Sequence, residues 1–185
     1  MAWSGVKRRV FISYFNRDKD EVEKFINYYG ESLGIFTWYA VGINDNDIIN
    51  STNTDYIMNI IRKDYLKDST VTIVMMGSCT HSRRFIDWEI KSSLRQGDYT
   101  PNGLMGIVLP SQNNSALLPP RFELNWNSSN NNAYARYYRY PYTADELGVW
   151  IDDAYFARSS RNHLINNPQE MMRYSSVCKV HGVTH

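Results

Sequence analysis

The chain predicts a doubly wound α/β domain, a parallel sheet covered by helices on both faces, with a helical extension at its C-terminal end. Three observations carry this. Apolar runs of strand length alternate with stretches of helical periodicity, giving four strands with a helix between each pair. The strand runs are apolar on both faces, as strands sandwiched between helices must be. The length of 185 residues and the 43% hydrophobic content suit one core, which is read as a domain over residues 1–160 with a tail over 161–185 packing on it or extending from it.

The first strand is "RRVFISYF" (8–15), apolar on both sides at Val10, Phe11 and Ile12. A helix starts at Asp18, an acid suited to a helix N-terminus, and carries Val22, Phe25, Ile26, Tyr29 and Leu33 before Gly34 ends it. "IFTWYAV" is the second strand, followed by the Asn- and Asp-dense loop "GINDNDIINSTNT". A second helix with Ile57, Ile60 and Ile61 on one stripe ends near Asp68. "TVTIVMMGS" (70–78) is the clearest strand, "HSRRFIDWEIKSSLRQG" (81–97) the next helix, and "LMGIVLP" (104–110) the fourth strand.

Beyond Pro110 the alternation breaks. "SQNNSALLPPRFELNWNSSNNN" has no periodicity and reads as a long excursion. "ARYYRYPY" suits a fifth, edge strand. A last helix starts after Thr143, whose spacing to Glu146 is that of a capping box, and its stripe is Leu147, Trp150, Ile151, Ala154, Tyr155 and Arg158. No pattern is legible after Pro168.

Composition excludes several functions. A net charge of +1 and a pI of about 7.7 provide no field for gathering nucleic acid or an anionic membrane. No run is long enough for a membrane helix, and "MAWSGVKRRVFISY" lacks a signal-peptide core. Cys79 and Cys178 cannot build a disulfide framework and are expected to be reduced thiols in a cytoplasmic protein. A zinc site from Cys79, His81, Cys178 and His181 would require the tail to fold back onto the third strand's end. Its spacing matches no finger or ribbon, so no metal is expected. The four histidines are expected at the solvated surface. Neither a dinucleotide fingerprint, a Walker lysine nor a calcium loop is present.

Two stretches can carry chemistry. The strand-to-helix turn after Ser13 offers backbone N–H groups to a phosphate, or is simply a helix start capped by Asp18. In the helix over 81–97, a step of about 100° per residue places Glu89 on the same arc as Phe85, Ile86, Ile90 and Leu94. Glu89 either reaches out to water from the stripe's edge or faces the interior, near the strand ends where such sheets bind ligands. A buried, ionised Glu89 needs a hydrogen-bond donor, for which Ser13, Arg84 and Trp88 are candidates.

With these residues stated, the chain resembles the TIR-like domains, and most of all the bacterial TIR proteins of the Thoeris anti-phage systems. "RRVFISYFNRDKD" is similar to the family's first box, and "TVTIVMMGSCTHSRRFIDWEIKSSLRQG" to its third strand and following helix, with Phe85 four positions before Glu89. The resemblance runs from about Arg8 to Leu109, and again over "WIDDAYFARSS". Two departures stand out: Arg84, Phe85 and Ile86 replace the commoner Ser-x-Trp-Cys, and "AVGINDNDI" replaces Arg-Asp-x-x-x-Gly.

The resemblance implies a flavodoxin-like fold of strand order 2-1-3-4-5, and cleavage or cyclisation of NAD at the nicotinamide–ribose bond with Glu89 as the catalytic carboxylate. Ser13, Phe15 and Asn16 would border the nucleotide, and the loop over 42–47, with Asp45 and Asp47, would cover it. Ser78, Arg84, Phe85 and Trp88 complete the implied binding set. NAD is then a substrate, with no further cofactor. Self-association and a downstream effector reached by a diffusible cyclic ADP-ribose-type nucleotide are the implied partners. Two other readings keep the fold: a non-catalytic interaction adaptor, and a nucleoside deoxyribosyltransferase, which also attacks an N-glycosidic bond with a carboxylate.

Overall fold

A computed structural model describes residues 5–41, 51, 53–126 and 132–184. Its five strands are β1 (Arg8–Ser13), β2 (Phe36–Val41), β3 (Val71–Met76), β4 (Gly103–Val108) and β5 (Arg136–Tyr138). They form one all-parallel sheet in the order β2-β1-β3-β4-β5, so the fold is flavodoxin-like, as the sequence predicts. The helices are α1 (Lys19–Phe25), α2 (Thr54–Ile60), α3 (Arg84–Ser93), α4 (Pro120–Asn125) and α5 (Ala144–Ser160).

Alternation along the strands sends side chains to two cores. Val10, Ile12, Ile73, Met75, Met105 and Ile107 face α1 and α5, meeting Val22, Phe25, Leu147 and Ile151. Phe11, Val74, Met76 and Leu104 face the other side. There Phe11 joins the α2–α3 residues Ile57, Phe85 and Trp88, and the rest join Ile86, Ile90 and Phe122. Burying both faces is what made these strands read as continuous apolar runs.

Where the chain departs from expectation, local causes are visible. The first two helices loosen into wider π-type turns over Ile26–Ser32 and Ile61–Tyr65, and Gly34 ends the first with a φ of +61°. The helix expected over 81–97 is shorter, because a 3₁₀ turn takes up Thr80–Ser82 and α3 begins at Arg84. Asp18 stands at the N-cap of α1 but makes no capping hydrogen bond. Thr143 caps α5 as expected, accepting from the Glu146 N–H, yet Glu146 reaches back to the Tyr142 N–H and to Arg139. The Asn-rich excursion holds α4, which has two turns at most and so leaves no periodic trace.

β4 and α5 meet backbone to backbone. A Cβ on Gly103 would stand 1.9 Å from the Ala154 carbonyl oxygen, with no flexible group to yield. Gly103→Ala is therefore expected to cost roughly 3 kcal/mol through overpacking, read as a lower urea midpoint at unchanged slope.

Of the two arrangements expected for the tail, the one in which it packs on the domain is observed. After α5 it crosses the outer side of α3, where Asn167 accepts from Arg121 and the Lys91 ammonium donates to the Asn167 and Gln169 carbonyls. The Trp88 indole N–H then donates to the Met172 carbonyl at 2.7 Å, and the Ser176 N–H to the Ser82 carbonyl at 2.9 Å. The tail's end is joined to the segment after β3 by a Cys79–Cys178 disulfide. The expectation of two reduced thiols is thus corrected: the fold brings the two Cα atoms to 5.4 Å, within bridging range, across a sequence separation of 99 that spacing alone does not interpret.

Candidate active site

The carboxyl ends of β1 and β3 lie side by side at the middle of the sheet, where the strand order changes direction. Ser13 is the last residue of β1 and fully buried. α3, packed against that face, turns Glu89 inward, leaving it 1% exposed. The Ser13 hydroxyl donates to Glu89 Oε2 at 2.5 Å. Of the two orientations open to Glu89 from periodicity, the inward one is observed.

Around this pair the phenol of Tyr14 is pushed above its ordinary pKa, first by burial and then by the negative charges of Glu23 and Glu89. Arg83, itself buried, holds its guanidinium 4.4 Å over the Phe15 ring. The backbone beyond β1 forms a 3₁₀ turn over Asn16–Asp18, with Asn16 exposed.

Asp18 is drawn against the end of β3. A Cβ on Gly77 would lie 2.0 Å from its Oδ2, so only glycine admits this approach. Burial pushes the Asp18 carboxyl up to about 6; the Glu21 charge adds to this and the Thr80 hydroxyl opposes it. A folded-state pKa raised above the unfolded value means that the native state favours the protonated acid. The stability this contributes is present in full below about pH 4 and is lost as pH rises through about 6. Asp18→Asn is expected to raise Tm more at pH 7 than at pH 4; an equal change at both values would contradict the assignment.

The other residues expected at the site divide. Phe85 and Trp88 sit together in the α2–α3 core, ring centroids 5.2 Å apart. Of the candidate donors to Glu89, Trp88 gives its indole N–H to the Met172 carbonyl; Arg84 lies over Phe85, with its Nη1 donating to the Arg173 carbonyl. Ser78 belongs to the disulfide end, its carbonyl oxygen 3.6 Å from Cys178 Sγ and its hydroxyl 3.9 Å from Cys79 Sγ. Asp45 and Asp47, with the rest of the loop over 42–47, lie outside the described residues. His81, expected at the solvated surface, is 6% exposed, and its Nε2 accepts from the Lys179 N–H.

The family profile described as Thoeris protein ThsB, TIR-like domain, matches residues 11–114, more than half of the chain and the part that holds Ser13 and Glu89. The chain belongs to the Thoeris ThsB TIR-like domain family. No curated protein matches it. Among solved structures it is similar to a ribose 5-phosphate isomerase from Thermotoga maritima at 13% identity, covering 84% of this chain and 92% of that one. The TM-score of 0.32 is too low to support any argument.

In this ThsB-type TIR-like chain, two structural features escaped the sequence reading. One is Arg121 of α4, fully buried, which pairs with Asp87 of α3. The other is the strap that the tail lays over α3. Both fall partly or wholly beyond the matched residues 11–114. Among the described residues, no helix is long and apolar enough to cross a membrane.

Proposed function

We propose that this chain cleaves the nicotinamide–ribose bond of NAD and releases an ADP-ribose-type nucleotide, linear or cyclic, as a signal in anti-phage defence. The reading is carried by one observation: a carboxylate 1% exposed, hydrogen-bonded by the Ser13 hydroxyl, beside the carboxyl ends of the central strands.

Nicotinamide leaves a pyridinium as a neutral molecule, taking the bonding electrons and needing no proton. General-acid catalysis, which an alkoxide leaving group requires, is therefore dispensable. The demand is for negative charge beside the ribose ring as it becomes cationic. A carboxylate withdrawn from water interacts with that cation far more strongly than one in bulk solvent. The Ser13 hydroxyl favours the ionised form of Glu89 by donating to it. Water, or a nucleophilic nitrogen or oxygen of the same nucleotide, then captures the ribose carbon and loses a proton, giving the linear or the cyclic product. Phe15, two residues beyond Ser13, carries the Arg83 guanidinium 4.4 Å over its ring. NAD is substrate here, and the proposal includes action in the cytoplasm, self-association and an effector that responds to the nucleotide.

The test is purified chain with NAD, and in parallel with nucleosides, followed by chromatography of released base. Release of nicotinamide from NAD, rising faster than linearly with protein concentration if self-association completes the site, is expected. Base release from nucleosides but not from NAD would favour the deoxyribosyltransferase reading. No release from either, with defence intact, would favour the adaptor.

A further inference from the structure

We propose that the reduced form of this protein holds one zinc-class divalent cation on Cys79, Cys178 and His181. None of these three residues is Glu89 or Ser13, and the proposal does not rest on the NAD-cleavage reading. The two sulfurs and one imidazole nitrogen lie within 4.8 Å of one another, and His181 Nδ1 is 3.1 Å from Cys79 Sγ.

Two features show that this convergence does not depend on the disulfide alone. The tail is fixed beside the segment after β3 by the Ser176 N–H to the Ser82 carbonyl and by the Lys179 N–H to His81 Nε2. The ligands Cys178 and His181 are also presented by a tight turn. The N–H groups of His181 and Gly182 both donate to the Cys178 carbonyl, Gly182 takes a φ of +70°, and Cys178 bridges to Val183. A Cys-x-x-His turn of this kind brings its sulfur and its imidazole to one side.

The donor set selects the ion. Two thiolates and an imidazole suit Zn²⁺ or Co²⁺ and are poor ligands for Mg²⁺ or Ca²⁺. Both cysteines are buried, whereas His181 is exposed, so the fourth position of a tetrahedral ion would face solvent. The disulfide and the ion are alternative closures of the same tail. A phosphine with one water reduces the bridge to two thiols, becoming the phosphine oxide. Binding of M²⁺ then displaces one proton from each thiol.

The experiment uses the full chain in three states: oxidised, phosphine-reduced, and reduced with one equivalent of Zn²⁺ or Co²⁺. In the reduced chain, Co²⁺ is expected to give a thiolate charge-transfer band in the near ultraviolet and tetrahedral bands in the visible, saturating at one ion per chain. The oxidised chain should give neither. Zn²⁺ should raise the Tm of the reduced chain and leave that of the oxidised chain unchanged. His181→Ala, an exposed change that keeps both cysteines, should weaken Co²⁺ binding by at least about tenfold and alter the visible bands. Absence of the thiolate band in the reduced native chain, or a His181→Ala variant with native affinity and spectrum, would overturn the proposal.

Discussion

Arg121→Ala is expected to destabilise the protein by about 3–5 kcal/mol, the cost of leaving a buried partner charge uncompensated. Arg121 is completely buried in α4, and each part of its guanidinium is used. Nε and Nη2 bind the two Asp87 carboxylate oxygens at 2.8 and 3.3 Å. Nη1 donates to Asn167 Oδ1 and to the Gln169 carbonyl, both at 3.0 Å, and Nη2 also reaches the Glu170 carbonyl at 2.9 Å. Asp87 in turn accepts from the Met172 N–H at 2.8 Å. Removing the arginine strands the Asp87 charge and takes the Arg121 donor from the Glu170 carbonyl, while the Gln169 carbonyl keeps Lys91. For a chain of this length that corresponds to a loss of roughly 10 °C or more in Tm. An apolar replacement of both Arg121 and Asp87 should not restore stability, because the tail backbone would still lack its partners. Limited proteolysis separates this account from a general loosening: in Arg121→Ala, cleavage should begin within residues 166–177, ahead of any cut in the sheet.

Glu89→Gln should lower nicotinamide release from NAD by about 10³-fold, within the range associated with losing one preorganised electrostatic group. Glutamine has the same shape and can still accept from Ser13, so the fold and NAD binding should persist while the negative charge is lost. The effect should fall on kcat, since the charge matters most once the ribose becomes cationic. Ser13→Ala keeps the carboxylate but removes its donor, and a smaller loss, about tenfold, is expected. If Glu89→Gln changed KM alone, the carboxylate would be a binding group and the proposed chemistry would need another residue.

What could be read from the sequence follows burial. β1, β3 and β4 were legible because they are covered on both sides, which leaves long apolar runs. The arc of Glu89 was legible because helical geometry fixes its position relative to Ile86 and Ile90, but its inward turn was not, since periodicity left both orientations open and burial decides between them. α4 was not legible, since six residues cannot display a helical period. The tail was hidden for a different reason. It is held mostly by backbone N–H and carbonyl groups, which are common to every sequence, and by polar side chains such as Lys91 and Arg121 that look like surface residues. Its covering of α3 also explains why Asp87, which bonds Arg121 and the Met172 N–H, is buried. The cysteine pairing depends on the same strap and could not precede it.

The central claim is that the buried Glu89 acts on NAD. The measurement that bears on it most directly is mass spectrometry of small molecules from phage-challenged cells carrying the native chain or Glu89→Gln. The account predicts depleted NAD and a nicotinamide-free ADP-ribose-type nucleotide only with the native chain, and no protection with the variant. Equal nucleotide pools in both cultures, with equal protection, would contradict it.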